Sequence, residues 1–159
     1  MTLPHWPPHW RDYSMDELLA QYSPALAPGV NIEERARHNQ QVEEGFRSRH
    51  RVVADIAYGN SPRQCIDLIY PQGVVAPPLH IFVHGGYWRR GDRFGHGRCA
   101  QTFVENGYAA AIVDFDLCPA VTIAEQVLQV RRAIAFLWRN RKKFNIRQDS
   151  FDICGHSTG

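Results

Sequence analysis

The chain has 159 residues, 44% of them hydrophobic, 11% aromatic and 21% charged, which excludes a disordered tail or a disulfide-dense scaffold and fits one ordinary globular domain. Eighteen basic and sixteen acidic residues leave a net charge of +2, too small a bias to point to a nucleic-acid protein. No apolar run approaches the ~18 residues of a membrane span, and Met1 to Pro8 has neither the basic nor the apolar region of a signal peptide.

The first thirty residues open with the aromatic, proline-rich stretch His5-Trp6-Pro7-Pro8-His9-Trp10. Prolines at 7 and 8 spoil a helical face for His5 and His9, so aromatic packing is expected there rather than a metal site. Ser14-x-x-Glu17 is a capping box opening a short helix with Leu18, Leu19 and Tyr22 on one side, and Pro24 and Pro28 stop it. A second helix is expected from Asn31 toward Arg49. Its few apolar positions, Ile32, Ala36, Val42 and Phe46, place it on the surface.

From residue 51 the period changes. Val52–Tyr58 and Gln64–Tyr70 read as a hairpin around the turn cluster Gly59-Asn60-Ser61-Pro62. Leu79–Val83 and Tyr108–Phe115 read as buried strands, with a helix between them ending at Asn106-Gly107 and turning Phe103 and Val104 inward. Thr122-x-x-Glu125 caps a long helix carrying Val127, Val130, Ile134 and Leu137 at helical spacing, and Arg139, Arg141, Lys142 and Lys143 crowd its C-terminal end. Phe151–Cys154 is a last short strand. The expected class is α/β, with a mostly parallel, buried sheet. Residues 1–50 form a helical extension and 51–159 the sheet core of a single domain.

Two motifs carry chemistry. Gly155-His156-Ser157-Thr158-Gly159 follows a strand in the manner of a nucleophile elbow, where glycines on either side of a serine let its Oγ stand exposed. His84-Gly85-Gly86-Tyr87-Trp88 follows an earlier strand, at the place of an oxyanion loop. There, glycines allow backbone N–H groups to face a developing negative oxygen. The expected assignment is Ser157 as catalytic nucleophile, the amides of Gly86, Tyr87 and Thr158 as oxyanion donors, and His84, Gly85 and Trp88 as support of the loop. Asp114 and Asp116 precede the nucleophile, so structural hydrogen bonds are expected of them. Arg89 and Arg90 either orient a carboxylated substrate or are simply exposed. Cys65, Cys99, Cys118 and Cys154 form no Cys-x-x-Cys pair. No metal or cofactor is expected, and the address expected is the cytoplasm.

With those residues in view, the sequence resembles the α/β-hydrolase superfamily, in its kynurenine formamidase (arylformamidase) and small carboxylesterase branch. The resemblance rests on His84-Gly85-Gly86-Tyr87-Trp88, on Asp116-Leu117-Cys118-Pro119 with Val121-Thr122, on Ala57-Tyr58-Gly59, on Ile66-Asp67-Leu68-Ile69-Tyr70-Pro71 and on the serine pentapeptide. It runs from Tyr13 to Gly159. It implies the N-terminal portion of an α/β-hydrolase fold, an antiparallel hairpin then parallel strands with flanking helices, ending at the nucleophile elbow. The activity implied is hydrolysis of an aryl formamide such as N-formylkynurenine, a step of tryptophan catabolism, or of a small ester, through an acyl-enzyme. The expected partner is a small-molecule substrate, with no nucleic acid and no membrane; a homodimer stays open for a complete protein.

In this superfamily the triad acid and base follow the serine in chain order. The chain is therefore expected to be C-terminally incomplete and inactive alone. Two readings stand: a serine hydrolase present in part, or a non-catalytic fragment with a binding role.

Overall fold

The structure, a computed structural model, describes residues 10–23, 29, 31–147, 149 and 151–159. The stretch from His5 to His9, Pro24 and Pro28 lie outside the described residues. The chain divides into two units, Met1–His38 and Asn39–Gly159.

In the first unit a single 3-10 turn, Trp10–Asp12, precedes helix α1 (Met15–Tyr22). The capping box forms as its sequence dictates: Ser14 Oγ accepts from the Glu17 N–H at 3.3 Å, and the Glu17 carboxylate accepts from the Ser14 N–H at 2.7 Å. Helix α2 (Ile32–Ser48) starts behind Asn31, whose Oδ1 accepts from the Glu34 N–H at 3.1 Å, and continues into the second unit.

The second unit is built on five strands, β1 (Arg51–Ala57), β2 (Cys65–Tyr70), β3 (Leu79–Val83), β4 (Ala109–Val113) and β5 (Phe151–Gly155), in the order β1-β2-β4-β3-β5. β1–β2 and β2–β4 pair antiparallel, whereas β3–β4 and β3–β5 pair parallel. The sheet is therefore mixed, because the hairpin joins it through β2, the only one of the five that runs against the others. A 3-10 turn at Gly97–Ala100 and the short helix α3 (Gln101–Glu105) connect β3 to β4, and helix α4 (Ile123–Asn140) connects β4 to β5. This is a partial α/β-hydrolase fold.

Strands β2, β3 and β4 are buried on both faces, hence their near-continuous apolar runs. Alternate residues feed two cores. Ile66, Leu68, Ile81, Ala111 and Val113 pack with Ala133 and Leu137 of α4. Ile69, Phe82, Ala110 and Ile112 pack with Phe46 of α2 and Val104 of α3.

Two sequence expectations change here. α2 is not merely a surface helix: Phe46 is fully buried, and Glu43 beside it accepts from the Gly97 and Arg98 N–H groups at 2.9 and 2.8 Å. The last ten residues of α2 thus belong with the sheet. On α4 the inward face runs through Gln126, Gln129, Ala133 and Leu137, and Val127 stays exposed. The cause is polar: Gln126 Nε2 donates to the carbonyls of Trp88 and Asp116, and Gln129 spans the Asp116 carboxylate and backbone. The helix is rolled toward loops that need donors.

Candidate active site

β3 and β5 are adjacent and parallel, with Val83 opposite Gly155. Their C-terminal ends therefore release the two motifs side by side. Beyond β5 the His156 N–H donates to the Val83 carbonyl at 3.1 Å and the Gly159 N–H to the His156 carbonyl at 2.9 Å. Within that tight turn Ser157 takes a φ of +59°, a left-handed conformation that a non-glycine residue adopts at a cost of order 1–3 kcal/mol. The turn needs its flanking glycines. A Cβ at Gly155 would strike the Gly159 carbonyl, and one at Gly159 would strike that of Val83.

The oxyanion-type loop leans against this turn. A Cβ built on Gly85 would lie 2.5 Å from the His156 carbonyl oxygen and 2.8 Å from Ser157 Cβ. Gly86 has φ +130°, and Tyr87 and Trp88 follow at +54° and +59°. The loop closes as the Arg89 and Arg90 N–H groups both donate to the Gly86 carbonyl, at 3.0 and 2.9 Å. Among the described residues, no acceptor bonds the backbone N–H of Gly86, Tyr87 or Thr158. The three amides singled out by sequence are thus unengaged, and the loop that carries two of them meets the serine turn at Gly85. Arg89 and Arg90 are exposed, and the Arg90 guanidinium stands 6.0 Å from the centre of the Tyr87 ring. Between α4 and β5, next to the turn, Trp88, Phe115, Val127, Val130 and Ile153 line a cleft of about 320 Å³ that Thr158 and Gly159 border.

Behind the loop stands a buried charge network. His84 is 1% exposed; its Nδ1 lies 2.8 Å from the Gly85 carbonyl and its Nε2 3.4 Å from Asp114 Oδ1, with the ring stacked on Phe115 at 4.6 Å. His96 stacks on the far side at 5.3 Å. The same Asp114 oxygen accepts from Arg63 Nη2 at 2.7 Å and from the Phe115 N–H at 2.9 Å, and the other accepts from Arg93 at 3.3 Å. Burial disfavours the Asp114 carboxylate, but the His84 hydrogen bond and the Arg63 charge outweigh it and hold this group below the usual carboxylate range. Arg63 also donates to the Gly91 carbonyl at 2.5 Å and to that of Phe115 at 2.8 Å. It ties the β1–β2 turn, the oxyanion-type loop and the exit of β4 together.

Arg93 continues inward to Asp67 at 3.0 Å and outward to the exposed Asp55, and Arg47 of α2 reaches Asp67 at 2.7 Å. Asp55 faces this group because the β1 register shifts between Val53 and Ile56, where Asp55 has φ +57°. Asp114 and Asp116 accordingly have the structural hydrogen bonds expected of them; Asp116 accepts from Ser61, Gln64 and Gln129. Sequence reasoning did not single out Arg63, Arg93, Asp67 or Glu43. The available signal was Asp67, a charge in the middle of the apolar run Ile66–Tyr70.

Beneath the elbow, His80 and Cys154 face each other. His80, buried on β3, stacks on Phe103 at 3.5 Å and places Nε2 3.4 Å from Cys154 Sγ. Burial lowers the His80 pKa and raises that of the Cys154 thiol. Among the described residues, no group of three His, Cys, Asp or Glu side chains is arranged to hold a metal ion, and no helix is long and apolar enough to cross a membrane.

Comparison with known families decides where this geometry belongs. The BD-FAE family model matches residues 66–159, from the second strand through the serine turn. The chain belongs to the BD-FAE family. Both motifs fall inside the matched region, as do Asp67, Arg93 and Asp114 of the charge network. Among curated relatives of this BD-FAE chain, a kynurenine formamidase of Danio rerio is 28% identical over 156 residues, covering 94% of this chain and 52% of its own length. One of Drosophila melanogaster is 31% identical over 108 residues, covering 67% and 35%. Among solved structures, a putative thioesterase from Silicibacter superposes with a TM-score of 0.73 at 28% identity, over 87% of this chain and 50% of that one. Esterase B from Lactobacillus rhamnosis, at 20% identity, a TM-score of 0.69 and coverage of 91% and 46%, shows the same fold. The chain spans about half the length of the Danio rerio and Salmo salar formamidases, which it matches over 94% of its sequence.

Proposed function

We propose that Ser157 is the nucleophile of a serine hydrolase that acts on an aryl formamide of the N-formylkynurenine kind, or on a small ester. The observation that supports this reading is the close approach of Gly85, in the loop that carries Gly86 and Tyr87, to a serine held at positive φ. The formamidases among the relatives favour the formamide, and the isoprenylcysteine methylesterases among them keep the ester in play.

In this mechanism a base takes the Ser157 hydroxyl proton as Oγ attacks the substrate carbonyl carbon. The carbonyl oxygen becomes an oxyanion and receives hydrogen bonds from the N–H groups of Gly86, Tyr87 and Thr158, each contributing about 2.7–4 kcal/mol in comparable enzymes. The tetrahedral intermediate collapses, the carbonyl C–N or C–O bond breaks, and the amine or alcohol leaves with the proton. Water then attacks the acyl-serine, the base takes its proton, and the acid is released with Ser157 restored. The superfamily order assigns base and acid to residues that follow the serine. His84 is committed to Gly85 and Asp114 and so acts as support. Trp88, 38% exposed at the loop end, offers an aromatic surface to a flat substrate.

The test uses the whole protein, with a fluorophosphonate probe and with N-formylkynurenine, phenyl acetate and a long-chain triglyceride. Probe labelling and turnover of the two aryl substrates are expected, and Ser157→Ala abolishes both. Undiminished turnover in that variant removes Ser157 from the nucleophile role, and a clear preference for the triglyceride overturns the aryl reading.

A further inference from the structure

One hollow of the molecule lies away from the serine. It lies where α4 passes the β1–β2 hairpin and has a volume of about 560 Å³, within the range of small-molecule sites. It is lined by Leu128, Ala135 and Phe136, by Tyr58 from the hairpin, and by Arg131, Arg132, Arg139 and Asn140.

The charges are what need explaining. Helix α4 carries Arg131, Arg132 and Arg139 but only one acid, Glu125. No Asp or Glu occupies a position three or four residues from any of these arginines, so the pairs that normally neutralise a surface helix are missing. Among the described residues, no carboxylate lies within ion-pair distance of the three guanidiniums. The macrodipole accounts for Arg139 in the last turn, but not for Arg131 and Arg132 in mid-helix. Arg132 does border a second hollow holding Asp116 and Glu125. Both are spoken for, Asp116 by Ser61, Gln64 and Gln129, and Glu125 by the Thr122 cap. Arg132 and Arg139, seven apart, share one face of the helix. Between them they present two planar forks suited to bidentate bonds with a phosphate.

We propose that this groove binds a small organic phosphate, a phosphate dianion carried on an apolar ring. Arg132 and Arg139 take the phosphate oxygens, Asn140, whose Nδ2 already donates to the Phe136 carbonyl at 2.8 Å, has its second amide hydrogen to offer, and the ring lies over Leu128, Ala135 and Phe136. None of the residues assigned to nucleophile, oxyanion donors or loop support lines the groove, so the proposal stands apart from the hydrolase reading.

The probes are 1-naphthyl phosphate, inorganic phosphate and 1-naphthol, titrated calorimetrically into the purified protein at low and at high salt. 1-Naphthyl phosphate is expected to bind best, more weakly as salt rises. Arg132→Ser with Arg139→Ser is expected to weaken it by about tenfold or more. Both arginines are exposed, so the thermal transition should not move. The control is Lys142→Ser with Lys143→Ser, which removes the same charge from exposed positions outside the groove and should leave affinity unchanged. Equal weakening in the control makes the binding a general field effect and overturns the site. Equal affinity for inorganic phosphate, or for 1-naphthol, overturns the ligand class, and no binding of any probe overturns the proposal outright.

Discussion

Gly85→Ala is the sharpest perturbation of the proposed site, because it adds one methyl group where the two motifs touch. The new Cβ would sit 2.5 Å from the His156 carbonyl oxygen and 2.8 Å from Ser157 Cβ. Both neighbours are short, and the first is backbone, so no flexible side chain can swing aside. Restoring an ordinary 3.4 Å contact requires the loop and the serine turn to part by about 0.9 Å, and a misplacement near 1 Å costs on the order of 10²-fold in rate. Overpacking itself costs about 1–3 kcal/mol. The expected result in the whole protein is a modest fall in thermal stability with a hundredfold fall in kcat/KM for phenyl acetate, carried by kcat. Gly95→Ala is the matched control, since its Cβ would meet only Asp92 Oδ1 at 3.8 Å. A Gly85→Ala enzyme within threefold of the parent in kcat would show that the loop and the serine do not act at one centre.

Two further predictions concern what holds the site. Asp114→Asn should cost about 3 kcal/mol in urea denaturation at pH 7, the low end for a broken buried pair, because Arg93 keeps Asp67 and Asp55. As the folded pKa of Asp114 is depressed, its contribution is full above the unfolded carboxylate value, about 3.9, and is lost as pH falls through the folded value; the Asn variant should lose that part of the acid slope, and an unchanged slope would refute the assignment. Phe46→Ala should cost about 3–5 kcal/mol and release the second half of α2, read as faster amide exchange over residues 39–48; slow exchange there would mean that Glu43 and Arg47 suffice.

The fold was legible wherever the signal was local. The hairpin turn at Gly59–Pro62, the capping boxes at Ser14 and Thr122 and the apolar runs of β3 and β4 each depend on residues a few positions apart. The two glycine-rich motifs were legible for the same reason. What stayed hidden was long-range. Arg93 meets Asp67 across 26 positions and Arg63 meets Asp114 across 51, and no periodicity records such a pairing. On α4, helical spacing marks Leu137 of the inward face but not Gln126 and Gln129, whose amides the loops below take up. Phe46 shows the limit from the other side. A single fully buried ring in a polar helix leaves almost no amphipathic pattern, yet it fixes where the helix docks.

The decisive step from sequence to site is a register. Within each motif the spacing of glycines and serine is local, but nothing local requires that two loops seventy residues apart should meet. The pairing of Val83 with Gly155 does require it. Once β5 is laid parallel to β3 in that register, His156 N–H finds the Val83 carbonyl, and Gly159 is forced so close to the same carbonyl that only a glycine fits. Gly85, two residues beyond Val83, is then brought against Ser157, two residues beyond Gly155. A shift of one residue would turn the β5 side chains to the opposite faces, moving Ile153 into the core of α2 and Cys154 out of reach of His80. The packing that fixes the sheet is thus the same packing that brings the glycine-rich loop against the serine turn. For that reason the positive φ of Ser157 can be maintained: its strain is opposed by contacts of two strands rather than by the turn alone.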